Sequence, residues 1–214
     1  MIDSTDALRS AVPGLGQLAV IGILRGCPPD LTREVAATAA DTGLHVIEVT
    51  LDSAEPLRQI EEIAELGGLS VGVGSVLDPE DAQRAIDVGA QFVVCPTVDA
   101  RVIEQCADLG VPCIPGAATP TEIMTALRAG AIAVKVFPAA QLGGPGFLSS
   151  VRAPLGHPPL VPTGGISAGD APAYLAAGAT AIGAGGTLFP RAALDLAQLD
   201  VIADLATLWV TSVT

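Results

Sequence analysis

Lysine is almost absent from this 214-residue chain: Lys135 is the only one, and the other permanently basic side chains are arginine. Positive charge of any kind is scarce, with 10 Lys and Arg against 23 Asp and Glu and a formal charge of −13. Without a basic patch to release phosphate counterions, nucleic acid and anionic membrane surfaces are disfavoured as partners, so any anionic ligand must be held by local features. Long hydrophobic runs are missing too. The apolar stretches last about five to eight residues before Gly, Pro or a charge interrupts them, too short for membrane spans. The segment from Met1 to Ser10 carries Asp3, Asp6 and Arg9, not the basic start and apolar run of a signal peptide, and the chain reads as cytoplasmic. Cys27, Cys95, Cys106 and Cys113 show no C-x-x-C spacing. Cys95 and Cys113 lie inside apolar strand-like runs, so free structural thiols are expected rather than a disulfide or a metal site. No metal or cofactor is expected.

What the chain has is a large apolar fraction, 50 %, enough to bury a sizeable core as one domain over residues 1–214. A unit repeats along it: an amphipathic helical stretch, a glycine, then a short β-branched run ending in Gly, Pro, Thr or Ser. The glycines are Gly43, Gly68, Gly89, Gly110, Gly130, Gly156 and Gly178. Glycine suits the left-handed position just past a helix, so each is expected to end one helix and admit the next strand. The runs HVIEVTL, LSVGVG, AQFVVCP, VPCIPG, AIAVKVFP, PLVPTGG and TAIGAGG, preceded by LAVIGILRG from Leu18 to Gly26, supply eight strands. Near-continuous apolar strands interleaved with helices predict an α/β fold, a parallel (β/α)8 barrel with an N-terminal helix over residues 1–16 and a closing helix from Ala192 to Val210. An open doubly wound sheet is the alternative. It lacks the G-x-G-x-x-G fingerprint after its first strand that a dinucleotide site would need.

Active sites of such barrels lie at the C-terminal ends of the strands, which directs attention to the polar residues closing each run. In AIAVKVFP, alternation puts Ala131, Ala133 and Lys135 on one face and points the lysine inward; the same count groups Val46, Glu48 and Thr50. Two charged groups are thus expected to meet inside the barrel mouth. A buried salt bridge is one reading of this pair, but such pairs stabilise little compared with apolar packing. The functional reading uses the same burial: a desolvated amine is favoured in its neutral, nucleophilic form and forms an imine with a ketone, an electron sink beside a scissile carbon. Glu48 is then the general acid and base, while Asp52 and Ser53 are expected to cap the next helix. The Thr163-Gly164-Gly165 and Gly185-Gly186-Thr187 turns follow the seventh and eighth strands, where barrels often bind phosphate through backbone N–H groups. Arg25, closing ILRG, has the planar fork to clamp a carboxylate, with a surface ion pair as its alternative. His45 and His157 open strands at the opposite, stability face and are given no catalytic role.

These blocks resemble, in order, the motifs of the 2-keto-3-deoxy-6-phosphogluconate (KDPG) aldolase family: GLHVIEVTLDS, VGVGSVLDPEDA, FVVCPTVD, VPCIPGAATPTEIMTALRAGA, AVKVFPA, PLVPTGGIS and GAGGTLFP. The resemblance implies a (β/α)8 class I aldolase, usually a homotrimer and independent of metal, that cleaves KDPG to pyruvate and glyceraldehyde 3-phosphate. It implies Lys135 as the imine-forming residue, Glu48 as proton shuttle, and Ser75, Pro96 and Phe137 around the pyruvoyl part. Gly164, Gly165, Gly186 and Thr187 would hold the phosphate. Arg25, Thr50 and Thr163 complete the expected substrate contacts. Asp52 departs from the pattern, because many KDPG aldolases have arginine there for the substrate carboxylate. ILRG with LDS is closer to the 6-phosphogalactonate branch, whereas Thr163 in PTGG is closer to the gluconate branch. The C4 epimer and the unphosphorylated 2-keto-4-hydroxyglutarate (KHG) stay open as substrates, and the residues alone also leave open another phosphosugar lyase or isomerase, in which Lys135 only orients substrate, and a non-catalytic phospho-ligand barrel.

Overall fold

A computed structural model describes residues 4–16 and 18–214. Helix α1 (Ser4–Ala11) comes first; residues 1–3 of the expected N-terminal helix lie outside the described residues. The chain then alternates: β1 (Val20–Leu24), α2 (Thr32–Asp41), β2 (Val46–Thr50), α3 (Pro56–Ala64), β3 (Ser70–Gly74), α4 (Pro79–Asp87), β4 (Val93–Val94) and α5 (Ala100–Asp108). The fifth apolar run forms two short strands, β5 (Cys113–Ile114) and β6 (Gly116–Ala117), followed by α6 (Pro120–Arg128), β7 (Val134–Val136), α7 (Gly144–Arg152), β8 (Leu160–Pro162), α8 (Ala171–Ala176) and β9 (Ile182–Ala184). Two helices, α9 (Arg191–Asp195) and α10 (Leu199–Val213), close it.

The helix-ending glycines behave as their chemistry predicts. All seven have positive φ, from 70 to 109°. At Gly89 and Gly130 the mechanism is explicit: Gly89 N donates to Ile86 O and Ala90 N to Ala85 O, and Gly130 N and Ala131 N donate likewise to Leu127 O and Ala126 O. These paired bonds satisfy the orphan carbonyls at a helix end and turn the chain into the next strand. The closing helix differs from expectation, because it is broken between Asp195 and Leu199. Ala197 takes the left-handed conformation there, with φ 51°, and Gln198 N donates to Ala193 O at 2.9 Å. No glycine marks that break in the sequence.

Every strand pair is parallel. Six strands make a curled sheet in the order β5-β4-β3-β2-β1-β9, and three more the order β6-β7-β8. The ladder is therefore not the single unbroken eight-strand ring of the sequence expectation. Pro115 divides the fifth run; it has no N–H to offer a neighbouring strand, but its carbonyl accepts from Lys135 N at 2.9 Å. Beyond β8, an isolated parallel bridge joins Thr163 to Gly183, and Thr180 N donates to Leu160 O at 2.8 Å.

Two apolar clusters result. The larger lies between strands and helices and includes Val20, Ile47, Val71, Val134 and Trp209. The smaller fills the concave side of the strands with Ile21, Val46, Phe92, Val94, Ile114, Ala133, Val161 and Ala181, against Leu8, Val12 and Leu15 from the N-terminal segment. That segment plugs the N-terminal end of the sheet, which leaves the C-terminal end for a site. Alternation holds from Ala133, just before β7, which faces inward, through Val134 and Val136, which face outward. It fails earlier in the run: Ala131 joins the outer cluster and Ile132 packs on the inner one, ahead of the strand that begins at Val134.

Candidate active site

At the C-terminal ends of the strands lies a pocket of about 480 Å³. Arg25 and Ser75 line one side, Pro96, Lys135 and Phe137 another, and Thr163, Gly164, Gly165, Gly186 and Thr187 a third. Ten of the sequence-expected site residues thus share one cavity. Lys135 reaches it from the middle of β7 and is 6 % exposed. Its Nζ stands 5.5 Å from the Phe137 ring centroid and 3.9 Å from Glu48 Oε1, too long for a hydrogen bond. Phe137 itself is 42 % exposed at the mouth.

Glu48 sits behind the lysine and is 1 % exposed. Its Oε1 is buried without a hydrogen-bond partner. Burial pushes its carboxyl above the ordinary value, with Lys135 and Arg25 opposing the shift and Asp52 adding to it. A carboxyl held this way keeps its proton to higher pH and can both give and take one. Room for it comes from β3: a Cβ at Gly74 would overlap the Glu48 carboxyl, and one at Gly72 would overlap the Phe92 ring. The alternating glycines of LSVGVG are thus explained by close approach from neighbouring side chains.

Thr50 is a correction. It shares the inward face of β2, but it is fully buried and is not among the pocket walls. Its hydroxyl lies 3.2 Å from Ser53 Oγ, which in turn accepts from Gly26 N at 2.9 Å. Thr50 and Ser53 therefore tie the loop after β2 to the loop after β1. Asp52 and Ser53 do not cap α3 either. That helix starts at Pro56, after Glu55 and without a side-chain cap, too far along the chain for their side chains to serve. Asp52 instead accepts from Arg25 Nη1 at 2.8 Å, and Arg25 Nη2 donates to Ser75 Oγ at 3.3 Å.

The two Gly-containing turns meet on the far wall. Gly164 and Gly165 have φ of 98 and 72°, and the Thr187 hydroxyl donates to Ile166 O at 2.8 Å, linking the turns. Among the described residues, the amides of Gly165, Gly186 and Thr187 donate to no backbone carbonyl, so they are open to an anion. Thr163 is 5 % exposed, and a Cβ at Gly183 would overlap its hydroxyl. Ile166 and Gly183 also line the pocket without having been singled out. Gly183 was legible, because alternation through TAIGAGG puts it on the inward face; Ile166 carries no sequence signal for this place. His45 and His157 are not among the pocket walls. The four cysteines are free and buried, and the described residues hold no group of three or more His, Cys, Asp or Glu that could bind a metal. No helix among them is long and apolar enough to cross a membrane.

The chain is similar in sequence and fold to known proteins. The family model described as KDPG and KHG aldolase matches residues 15–205. A probable 2-dehydro-3-deoxy-6-phosphogalactonate aldolase of Rhizobium meliloti is 36 % identical over 173 residues, 79 % of this chain and 81 % of that protein. A 2-dehydro-3-deoxy-phosphogluconate aldolase of Pseudomonas aeruginosa is 36 % identical over 162 residues, 75 % of this chain and 74 % of its own length. The solved structure of the Zymomonas mobilis ZM4 KDPG aldolase with 3-phosphoglycerate superposes with a TM-score of 0.84 at 27 % identity, over 98 % of this chain and 96 % of that one. A buried lysine facing a buried carboxyl at the C-terminal end of a parallel sheet, in a chain so matched, leads to one conclusion: the protein is an aldolase of the KDPG/KHG family.

Proposed function

We propose that this protein is a class I aldolase that cleaves KDPG to pyruvate and glyceraldehyde 3-phosphate through an imine on Lys135. The observation that carries this reading is the buried Lys135 Nζ on the pocket wall, 3.9 Å from a Glu48 oxygen that accepts no hydrogen bond and lies behind that wall. The neutral amine attacks the C2 carbonyl to give a carbinolamine. Glu48, whose burial raises its proton affinity, gives its proton to the departing hydroxyl; water leaves and a protonated imine remains. The Glu48 carboxylate then takes the C4 hydroxyl proton as the C3–C4 bond breaks, and that electron pair flows into the imine to form an enamine. The aldehyde departs, Glu48 returns its proton to C3, and water hydrolyses the imine to free pyruvate and the amine.

Arg25 and Ser75 take the substrate carboxylate, and Pro96 and Phe137 enclose the pyruvoyl carbons. Thr163 packs beside the reacting carbons, and the open amides of Gly165, Gly186 and Thr187, with Gly164, receive the phosphate. The same reading treats the chain as one closed (β/α)8 barrel domain. The Thr163–Gly183 bridge and the single residue between β5 and β6 support it. The protein works in the cytoplasm as a homotrimer, which light scattering will test.

Borohydride reduction with pyruvate, followed by peptide mass analysis, tests the chemistry: a pyruvyl adduct on Lys135 is expected, and its absence removes the imine mechanism. One observation favours a second substrate. Arg25 rather than a residue after EVTL faces the pocket, the arrangement closer to the galactonate branch. Cleavage rates for KDPG, its C4 epimer and KHG decide this, with KDPG expected fastest; equal cleavage of unphosphorylated KHG would remove the phosphate role of the two turns.

A further inference from the structure

The pocket wall offers two basic side chains, Lys135 and Arg25, and the guanidinium is already engaged. The Asp52 carboxylate accepts from Arg25 Nη1 at 2.8 Å, while Nη2 donates to Ser75 Oγ at 3.3 Å. One arm of the guanidinium is thus satisfied by an anion belonging to the chain itself. We propose that Asp52 is a specificity-determining residue acting through Arg25: its carboxylate competes for the guanidinium and holds down affinity for a 2-keto acid carboxylate relative to an uncharged 2-keto compound. This rests on the reading of Arg25 as the carboxylate clamp.

Loosening that contact has a chemical use. A grip on the carboxylate that is equal in substrate, transition state and product raises affinity without raising turnover. It would also retain pyruvate. A built-in competitor weakens the grip on all three and lets the product go. Both partners of the pair are about half exposed, so its strength is modest and falls with salt. The charged groups around Glu48 are consistent with the same balance: Arg25 lowers its proton affinity and Asp52 restores part of it.

The test measures the pyruvate concentration that half-saturates borohydride trapping on Lys135, beside the same measurement with methyl pyruvate, in the wild type, Asp52→Asn, Asp52→Ala and Arg25→Met. Removing the competing charge is expected to lower the pyruvate value about two- to five-fold in both Asp52 variants at low salt, the range for an exposed ion pair, and less at high salt. The methyl pyruvate value should not move. A merely structural role for Asp52 would move both ligands together. Equal shifts, no shift, or weaker pyruvate binding overturns the proposal. Arg25→Met should weaken pyruvate, and adding Asp52→Asn to Arg25→Met in a double variant should then change nothing further. If it leaves the pyruvate value unchanged, the clamp reading fails first, and if the wild type is not trapped at all, the imine reading fails.

Discussion

Replacing Glu48 by glutamine should cost activity and raise stability, and the stability gain should depend on pH. The carboxyl is 1 % exposed, one oxygen accepts no hydrogen bond, and burial raises it above the ordinary value of 4.5. Below 4.5 the group is protonated in both the folded and unfolded chain and imposes no penalty. As pH rises past that value the unfolded chain releases the proton and the folded one keeps it. The wild type therefore loses about 1.36 kcal/mol of stability per pH unit until the folded carboxyl ionises as well. Glutamine, close in shape and uncharged, avoids this loss. For a chain of this size each kcal/mol moves the midpoint by about 2–4 °C. Thermal unfolding of both proteins by circular dichroism, from pH 4 to pH 8, should show matching midpoints at the acid end and a widening gap in favour of Glu48→Gln above it. In parallel, kcat for KDPG cleavage should fall about 10²- to 10⁴-fold, the usual contribution of a general acid and base. A gap independent of pH, or a less stable glutamine variant at pH 8, would refute the buried-carboxyl argument.

Three further changes probe other parts of the site and its frame. Gly74→Ala puts a methyl group where the Glu48 carboxyl lies; chemical denaturation should show a loss of about 1–3 kcal/mol, and kcat should drop as the carboxyl is displaced. Thr187→Val deletes the hydroxyl bond to Ile166 O that links the two anion-facing turns. KM for KDPG should rise while the pyruvate concentration that half-saturates borohydride trapping stays put; an equal change in both would contradict a phosphate-end role. Thr119→Ala removes a capping box in which Thr119 accepts from Glu122 N at 3.3 Å and Glu122 accepts from Thr119 N at 2.9 Å. It should cost about 1 kcal/mol in urea denaturation with kcat unchanged.

Much of this molecule is legible because its signals are local. The seven glycines report where helices stop, since only a residue without Cβ takes that backbone cheaply, and alternation within a strand reports that Lys135 and Glu48 face the same interior. Alternation could not say that Ile132 leaves the pattern, because the strand starts three residues later than the apolar run. Nor could the composition of Leu196–Ala197–Gln198 reveal a break that rests on an alanine in the left-handed conformation. Thr50 shows the limit from another side: its inward direction was right, but its depth was not, and depth depends on how the neighbouring loops close over a strand end.

By itself the sequence determined the order of helices and strands, the face on which the lone lysine and the glutamate lie, and the family to which their motifs belong. Tertiary structure alone decided that Arg25 and Asp52, 27 positions apart, form a pair, that Gly74 makes the space Glu48 occupies, and that two turns are joined by one hydroxyl. The physical reason is range. Backbone preference and side-chain direction are written in a few adjacent residues, whereas which side chain meets which across strands depends on the twist and register of the assembled sheet.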